Sequence, residues 1–328
     1  MSDDEINNPH DKLFTTIFSD IKEAKSFFEN YLPKNLIEKI DLDCLNLEKS
    51  HFVDEEYKKK ESDLLYTAVL KTKKDEPVYL YILFEHQSSP DKWMRFRMLK
   101  YMCRIWDESF KNFSKQTKLI PILPIVFYQG TNKWNYSQAF SDLFDETGFK
   151  EVIPKFSHYL VDHSDIKDEQ IKGEIKSQIA LILMKAAFHG NIQNLFERLA
   201  QLFLEIEKTG GINYLRLFII YLGTTQDKET VINFVNIMND YSKNIGGNML
   251  SAIEAFKQEG WQKGKQEGWQ KGKQEGKQEG KQEGIINTAK NLLSMLVLTT
   301  EQIAKATGLT VDEVEKLKRG ELNIPQFR

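Results

Sequence analysis

Apolar residues recur at helical spacing near the start of the chain: Leu13, Phe14, Ile17, Phe18, Ile21, Ala24, Phe27, Phe28 and Tyr31. That period predicts one helical run with a stripe packed into a core. Pro9 suits its first turn, Asn8 offers a cap, and Pro33 ends it. Residues 34–60 show no clear period and include a charged stretch at Asp54–Glu61. Ser62–Lys71 and Val78–Gln87 are dense in Leu, Val, Ile, Tyr and Phe and are predicted strands. The polar run Thr72–Glu76, before Pro77, is the predicted turn between them. A helix is expected from about Lys92 to Phe110. A strand is expected over Leu119–Tyr128 despite Pro121 and Pro124, closed by Gly130. From about 137 to 256 the pattern is mostly helical, with a break at Gly210-Gly211. Strands early and helices late predict an α/β unit followed by a helical region.

Residues 257–284 repeat the tetrapeptides KQEG and WQKG, with glycine at 260, 264, 268, 272, 276, 280 and 284. On an α-helix the glycine line drifts by about 40° per repeat. Seven internal glycines cost on the order of 7 kcal/mol against alanine. Pairs such as Glu259–Lys263 and Glu267–Lys271 return only about 0.2–0.5 kcal/mol each. A lone helix is therefore marginal. Packing against an identical helix along the glycine line, giving a homo-oligomer, is one remedy; a mobile linker is the other reading. The charged residues between glycines exclude the membrane meaning of this spacing. The last segment, TTEQIAKATGLTVDEVEKLKRG at 299–320, has helix-turn-helix spacing at Ala304, Gly308, Leu309, Val314 and Leu317. Asp312, Glu313 and Glu315 are poor company for phosphates, so a structural helical hairpin is expected rather than a DNA reader. The expected division is 1–136 for the core, 137–256 for a helical region completing or flanking it, 257–284 for the repeat and 285–328 for the hairpin.

Composition adds boundaries. The 328 residues are 41% hydrophobic and 12% aromatic, enough for a sizeable core and for about two domains. A net charge of −3 and a pI near 6.2 give no global attraction to nucleic acid, so any such contact is local. Cys44 and Cys103 lie far apart, which argues against a cysteine-rich zinc site. The polar start and the absence of a membrane-length apolar run lead to the expectation of a soluble, cytoplasmic protein with no membrane partner.

The candidate chemistry lies on the two predicted strands. A turn centred on Lys74 places Asp63 opposite Glu85, at a Cβ separation of roughly 4.5–5.5 Å. Gln87, two residues on, points to the same face. A register shift of one would separate the acids. Two carboxylates among apolar neighbours need hydrogen bonds, a counter-charge or a metal. A hard divalent cation such as Mg²⁺ takes oxygen ligands, often only one or two of them carboxylates. Asp63 and Glu85 would be its ligands, with the His86 carbonyl as a third, and Gln87 would orient water or phosphate. The alternative is that both acids sit in solvent at strand ends or pair with lysines.

The blocks PHDKLFTTIFSD at 9–20, FFENYLP at 27–33, FVDEEYKKKESDLLY at 52–66, YLYILFEHQSSPDKWMRFRMLKYMCRIW at 79–106 and PIVFYQG at 124–130, with Trp134 after them, resemble the recombination-promoting nuclease family. That family is also described as transposase-like and is placed in the PD-(D/E)XK superfamily. The resemblance implies a restriction-endonuclease-like α/β fold, a mixed sheet flanked by helices, followed by a helical region and a helical tail. It also implies a metal-dependent DNA endonuclease using Mg²⁺, Mn²⁺ or Ca²⁺, linked to recombination, mobile elements or phage defence. Its pattern falls on Asp63, Glu85 and Gln87 as catalytic residues, the first two as metal ligands. Gln87 stands where the superfamily pattern has lysine, and so removes a positive charge. Thr15 stands where a basic residue is expected. His10 and Asp11 resemble first-helix residues of the family; Asp11 is read as a metal contact through water or as a helix cap.

On the helix after the site, Arg97, Lys100 and Arg104 share a face and are read as phosphate contacts along DNA, or as a solvated face paired with Asp107 or Glu108. Met98, Tyr101, Met102, Ile105 and Trp106 are placed on the opposite side. Tyr66, Tyr79 and Tyr81 are read as packing residues. Three functions compete: an endonuclease, a non-catalytic DNA-binding or self-associating protein, and a transposase that joins strands.

Overall fold

The first helical run breaks in two. In the computed structural model, which describes residues 9–48, 63–71, 78–112, 117–145, 150–190, 192–209, 211 and 213–321, α1 (Pro9–Phe18) and α2 (Ile21–Tyr31) are separate helices. Asp20 divides them, its carboxylate accepting from the Lys22 N–H at 3.1 Å. Asn8 and the turn Thr72–Glu76 lie outside the described residues. After a short turn, α3 (Lys34–Ile37), the stretch without a clear period yields a strand, β1 (Ile40–Leu47). Its buried residues are Ile40, Leu42 and Leu45, and the register with β2 shifts between Asp41 and Asn46. That irregularity puts five residue steps of β1, from Asp41 to Asn46, against two of β2, from Val69 to Thr67, and breaks the alternation that would mark a strand.

β2 (Asp63–Leu70) and β3 (Val78–Gln87) form the expected hairpin. α4 (Met94–Asn112) then crosses over to β4 (Ile122–Tyr128), which lies parallel to β3. Pro124 is tolerated there because β5 pairs with β4 only from Ile125 onward. β5 (Tyr159–Asp162) lies in a region expected to be mostly helical, and short 3₁₀ turns occupy much of residues 140–170. The sheet order is β1-β2-β3-β4-β5, antiparallel over the first three strands and parallel over the last three. This mixed sheet with flanking helices and a helical C-terminal region has the architecture expected of a restriction-endonuclease-like fold.

The two sheet faces differ. One carries Leu64, Tyr66, Ile82, Phe84, Ile125 and Phe127 into a large core shared with α1, α2, α5 (Ile175–His189), α6 (Phe196–Lys208), α7 (Asn213–Thr225) and α8 (Lys228–Tyr241). Tyr66 is fully buried and its O–H donates to the Phe18 carbonyl at 2.5 Å, which makes it a packing residue. The side chains of Tyr79 and Tyr81 lie outside the described parts. The other face is smaller, with Leu65, Leu83 and Val126 meeting Met94, Met98 and Ile105 of α4.

The chain divides into two compact units, residues 1–254 and 255–328. The division falls inside α9 (Lys243–Ser294), the helix that contains the tetrapeptide repeat. In the second unit Ile286 and Ala289 pack with Ile303 and Ala304 of α10 (Thr300–Thr307) and Val314 and Leu317 of α11 (Val311–Lys318). Both short helices start with a capping box, Thr299 with Gln302 and Thr310 with Glu313. Gly308, at φ +80°, supplies the left-handed residue between them. Among the described residues no helix is long and apolar enough to cross a membrane.

Candidate active site

The β2–β3 register pairs Asp63 with Glu85. Both side chains therefore leave the sheet on the face covered by α4, next to Leu65, Leu83 and Val126. Glu85 is only 1% exposed. Burial of two acids on adjacent strands has a cost that the surrounding groups offset in part.

Glu85 Oε1 takes two donors. One is the Gln87 side-chain amide at 2.7 Å, which also donates to the His86 carbonyl at 2.7 Å. The other is the Arg97 guanidinium, which ion-pairs with Glu85 and reaches Asp91 Oδ2 at 3.1 Å through its other terminal nitrogen. Asp63 accepts a hydrogen bond from the Tyr101 hydroxyl. Burial pushes the Asp63 carboxyl up to about 7, against the lowering effects of Arg97 and Tyr101; Asp11 adds a further upward push. Burial and the neighbouring Asp63 push the Tyr101 phenol up to about 12, so it stays a donor at neutral pH.

One oxygen of each acid, Asp63 Oδ1 and Glu85 Oε2, is buried with no hydrogen-bond partner. A pair of enclosed, unsatisfied carboxylate oxygens on opposed residues is a donor set that suits a hard divalent cation. The described residues contain no group of three or more His, Cys, Asp or Glu side chains suited to a metal, so any such site rests on two carboxylates, with backbone and solvent completing it.

The first helix meets β3 from the opposite sheet face. His86 stacks on Phe14 at 5.1 Å, and its Nδ1 lies 2.5 Å from Asp11 Oδ1. Asp11 sits inside the first turn of α1 rather than at its cap, and its partner is a histidine side chain. His10 bonds to the Tyr221 hydroxyl at 2.7 Å, and burial pushes its pKa down to about 4, so it joins α1 to α7 as a neutral imidazole.

Two sequence expectations change here. Arg97 points at acids of the site, Glu85 and Asp91, rather than at Asp107 or Glu108. Tyr101, expected on the opposite side of the helix from Arg97, shares its face, because residues four apart on an α-helix are separated by only about 40°. That spacing is the signal in the sequence that could have found it. Lys100 lies over the Phe96 ring at 6.0 Å; Phe96 is exposed on the same helix and Trp93 is exposed just before its start. Gly130, at the end of β4, is required: a Cβ there would lie 2.5 Å from the Ser88 carbonyl oxygen and 2.5 Å from the Tyr128 hydroxyl.

Comparisons with known proteins place the chain in a family. The family model described as "Putative transposase, YhgA-like" matches residues 8–211. Recombination-promoting nuclease RpnC of Escherichia coli strain K12 is 28% identical over 254 residues, 77% of this chain and 82% of the relative. Recombination-promoting nuclease RpnD of Escherichia coli O157:H7 is 27% identical over 231 residues, covering 70% and 86%. A relative from strain K12 named as inactive, RpnE, is 25% identical over 270 residues, covering 80% and 88%. No solved structure matches. With more than half its length matched, the chain belongs to the YhgA-like transposase family, whose curated relatives include the recombination-promoting nucleases.

Proposed function

We propose that this protein is a divalent-metal-dependent endonuclease that hydrolyses phosphodiester bonds in DNA, in the service of recombination or mobile elements. One observation carries the reading: Asp63 and Glu85 face each other across β2 and β3, each with a buried, unpartnered oxygen. The substrate class is supported by the names of the nuclease relatives. Asp63 Oδ1 and Glu85 Oε2 would hold Mg²⁺, with Mn²⁺ or Ca²⁺ as substitutes. What such an ion supplies when bound is acidification of water and neutralisation of phosphate charge. Gln87 is fixed by its amide nitrogen, which leaves its carbonyl oxygen to accept a hydrogen from the attacking water. Lys100 and Arg104 of α4 would meet the DNA backbone beside the exposed Trp93 and Phe96. The repeat of α9 would join copies of the chain along its glycine line.

A non-catalytic reading draws on the relative named as inactive. The presence of Asp63, Glu85 and Gln87 on one face of the sheet favours the catalytic one. Plasmid cleavage by the purified protein with Mg²⁺, Mn²⁺ or Ca²⁺, beside Asp63→Ala and Glu85→Ala, separates the two. Cation-dependent nicking lost in both variants is expected, by a factor of 10² or more on the scale of removed charge-stabilising groups. Equal cleavage by all three proteins would remove Asp63 and Glu85 from the site.

A further inference from the structure

Resting on the metal-site reading above, we infer that Arg97 and Tyr101 are positioning residues. From one face of α4, each holds one oxygen of a site carboxylate and turns the other toward the cation. The observations are geometric. Arg97 and Tyr101 are four residues apart and so project side by side toward β2 and β3. Arg97 is ion-paired with Glu85 Oε1, and the Tyr101 hydroxyl is the hydrogen-bonding neighbour of Asp63, so α4 reaches both acids. The remaining oxygens, Asp63 Oδ1 and Glu85 Oε2, are the two that lack a partner.

Arg97 is itself fixed from behind. Its second terminal nitrogen bridges to Asp91, just before α4, and its side chain is 23% exposed. A phosphate-reading arginine needs its guanidinium presented to solvent. This one is committed to two carboxylates at once, a fork that the single ammonium of lysine does not reproduce. Gln87 supplies the complementary hold from β3, on the same Glu85 oxygen. Groups that orient metal-binding carboxylates are worth roughly 10–100-fold in metal affinity.

The test measures Mn²⁺-dependent thermal stabilisation of the full chain without DNA, and separately DNA binding in Ca²⁺. Wild type is compared with Tyr101→Phe, Arg97→Lys and Arg97→Gln. Tyr101→Phe removes only the hydroxyl and keeps the ring against its neighbours, so it guards against simple misfolding. The expected result is a Mn²⁺ midpoint raised about tenfold or more in Tyr101→Phe and Arg97→Gln. Arg97→Lys should recover part of the loss, and the DNA dissociation constant, measured at Ca²⁺ saturating for each variant, should change less than twofold in all three. An unchanged Mn²⁺ midpoint with weakened DNA binding would overturn the inference and return Arg97 to the DNA interface. Wild type that shows no Mn²⁺ stabilisation at all would overturn the metal-site reading and this inference together. Variants that match wild type in a clear Mn²⁺ response would overturn this inference alone.

Discussion

Asp63 and Glu85 are a local conflict that folding alone does not resolve. Each has one enclosed, unsatisfied oxygen, and they face one another. Natural chains keep such conflicts where function needs them. Asp63→Asn removes one of the two like charges and keeps the acceptor for Tyr101. It is expected to raise the melting temperature of the cation-free protein by a few degrees, about 1 kcal/mol in a chain of this size. Scanning calorimetry in EDTA checks this, and a lowered melting temperature would contradict it. A second residue-scale expectation concerns His163. It is fully buried, its Nε2 donates to the Leu181 carbonyl at 2.9 Å, and burial pushes its pKa down to about 4. The hydrogen bond to the Leu181 carbonyl and the nearby Asp168 favour its charge, and Lys185 and His189 disfavour it, without overcoming burial. The unfolded imidazole takes up a proton near pH 6.5 and the folded one only near pH 4, so stability falls as pH drops through that window. The slope is at most about 1.4 kcal/mol per pH unit from this residue. Urea midpoints at pH 7 and pH 5 should converge more for His163→Gln than for wild type; parallel losses in the two proteins would refute it.

At the scale of elements, Gly130 closes β4 against the Ser88 carbonyl, a backbone atom that cannot rotate away. Gly130→Ala is therefore expected to cost on the order of 1–3 kcal/mol, as overpacking does. A urea midpoint within error of wild type would mean the strand end adjusts freely. The hairpin that carries the site was legible because both strands are continuous apolar runs separated by a polar run, and the register assumed from a turn at Lys74 is the one that pairs Asp63 with Glu85. β1 was not, because its bulge shifts the alternation from Ile40 and Leu42 to Leu45. β5 was not, because four residues carry too little period to stand out from the helices around them. The break at Asp20 was masked by an apolar stripe that continues through two helices and into the same core. Arg97 and Tyr101 were visible as types, but their partners depend on how α4 sits over the sheet, a tertiary fact.

The α9 repeat is a helix in this structure, and a Cβ at Gly268, Gly272, Gly276, Gly280 or Gly284 would meet open space. If copies join along that line, Gly272→Ala with Gly276→Ala weakens the dimer while raising helix propensity by about 1 kcal/mol per site. Sedimentation equilibrium reads this as a raised dissociation constant. An unchanged or tighter assembly would place the contact elsewhere.

For the whole molecule, the two units differ greatly in core. Among the described residues, 1–254 bury sheet and helix residues in a large cluster and a smaller one, whereas 255–328 bury six side chains in a single small cluster. A core that small is marginal. Val314→Asp places a charge among those six and is expected to abolish a separate low-temperature unfolding transition while leaving the main one in place. Loss of the main transition as well would show that the units fold as one. The net charge of −3 leaves the molecule without a general pull on DNA, so whatever binds must be drawn to the site and to α4. On the proposed metal-site reading, the ion would be the first element of that attraction. Diffraction from crystals soaked in Mn²⁺, with data collected at the manganese edge, locates it directly. An anomalous peak shared by Asp63 Oδ1 and Glu85 Oε2, absent in Asp63→Asn, is predicted; peaks only elsewhere, or none, would contradict it.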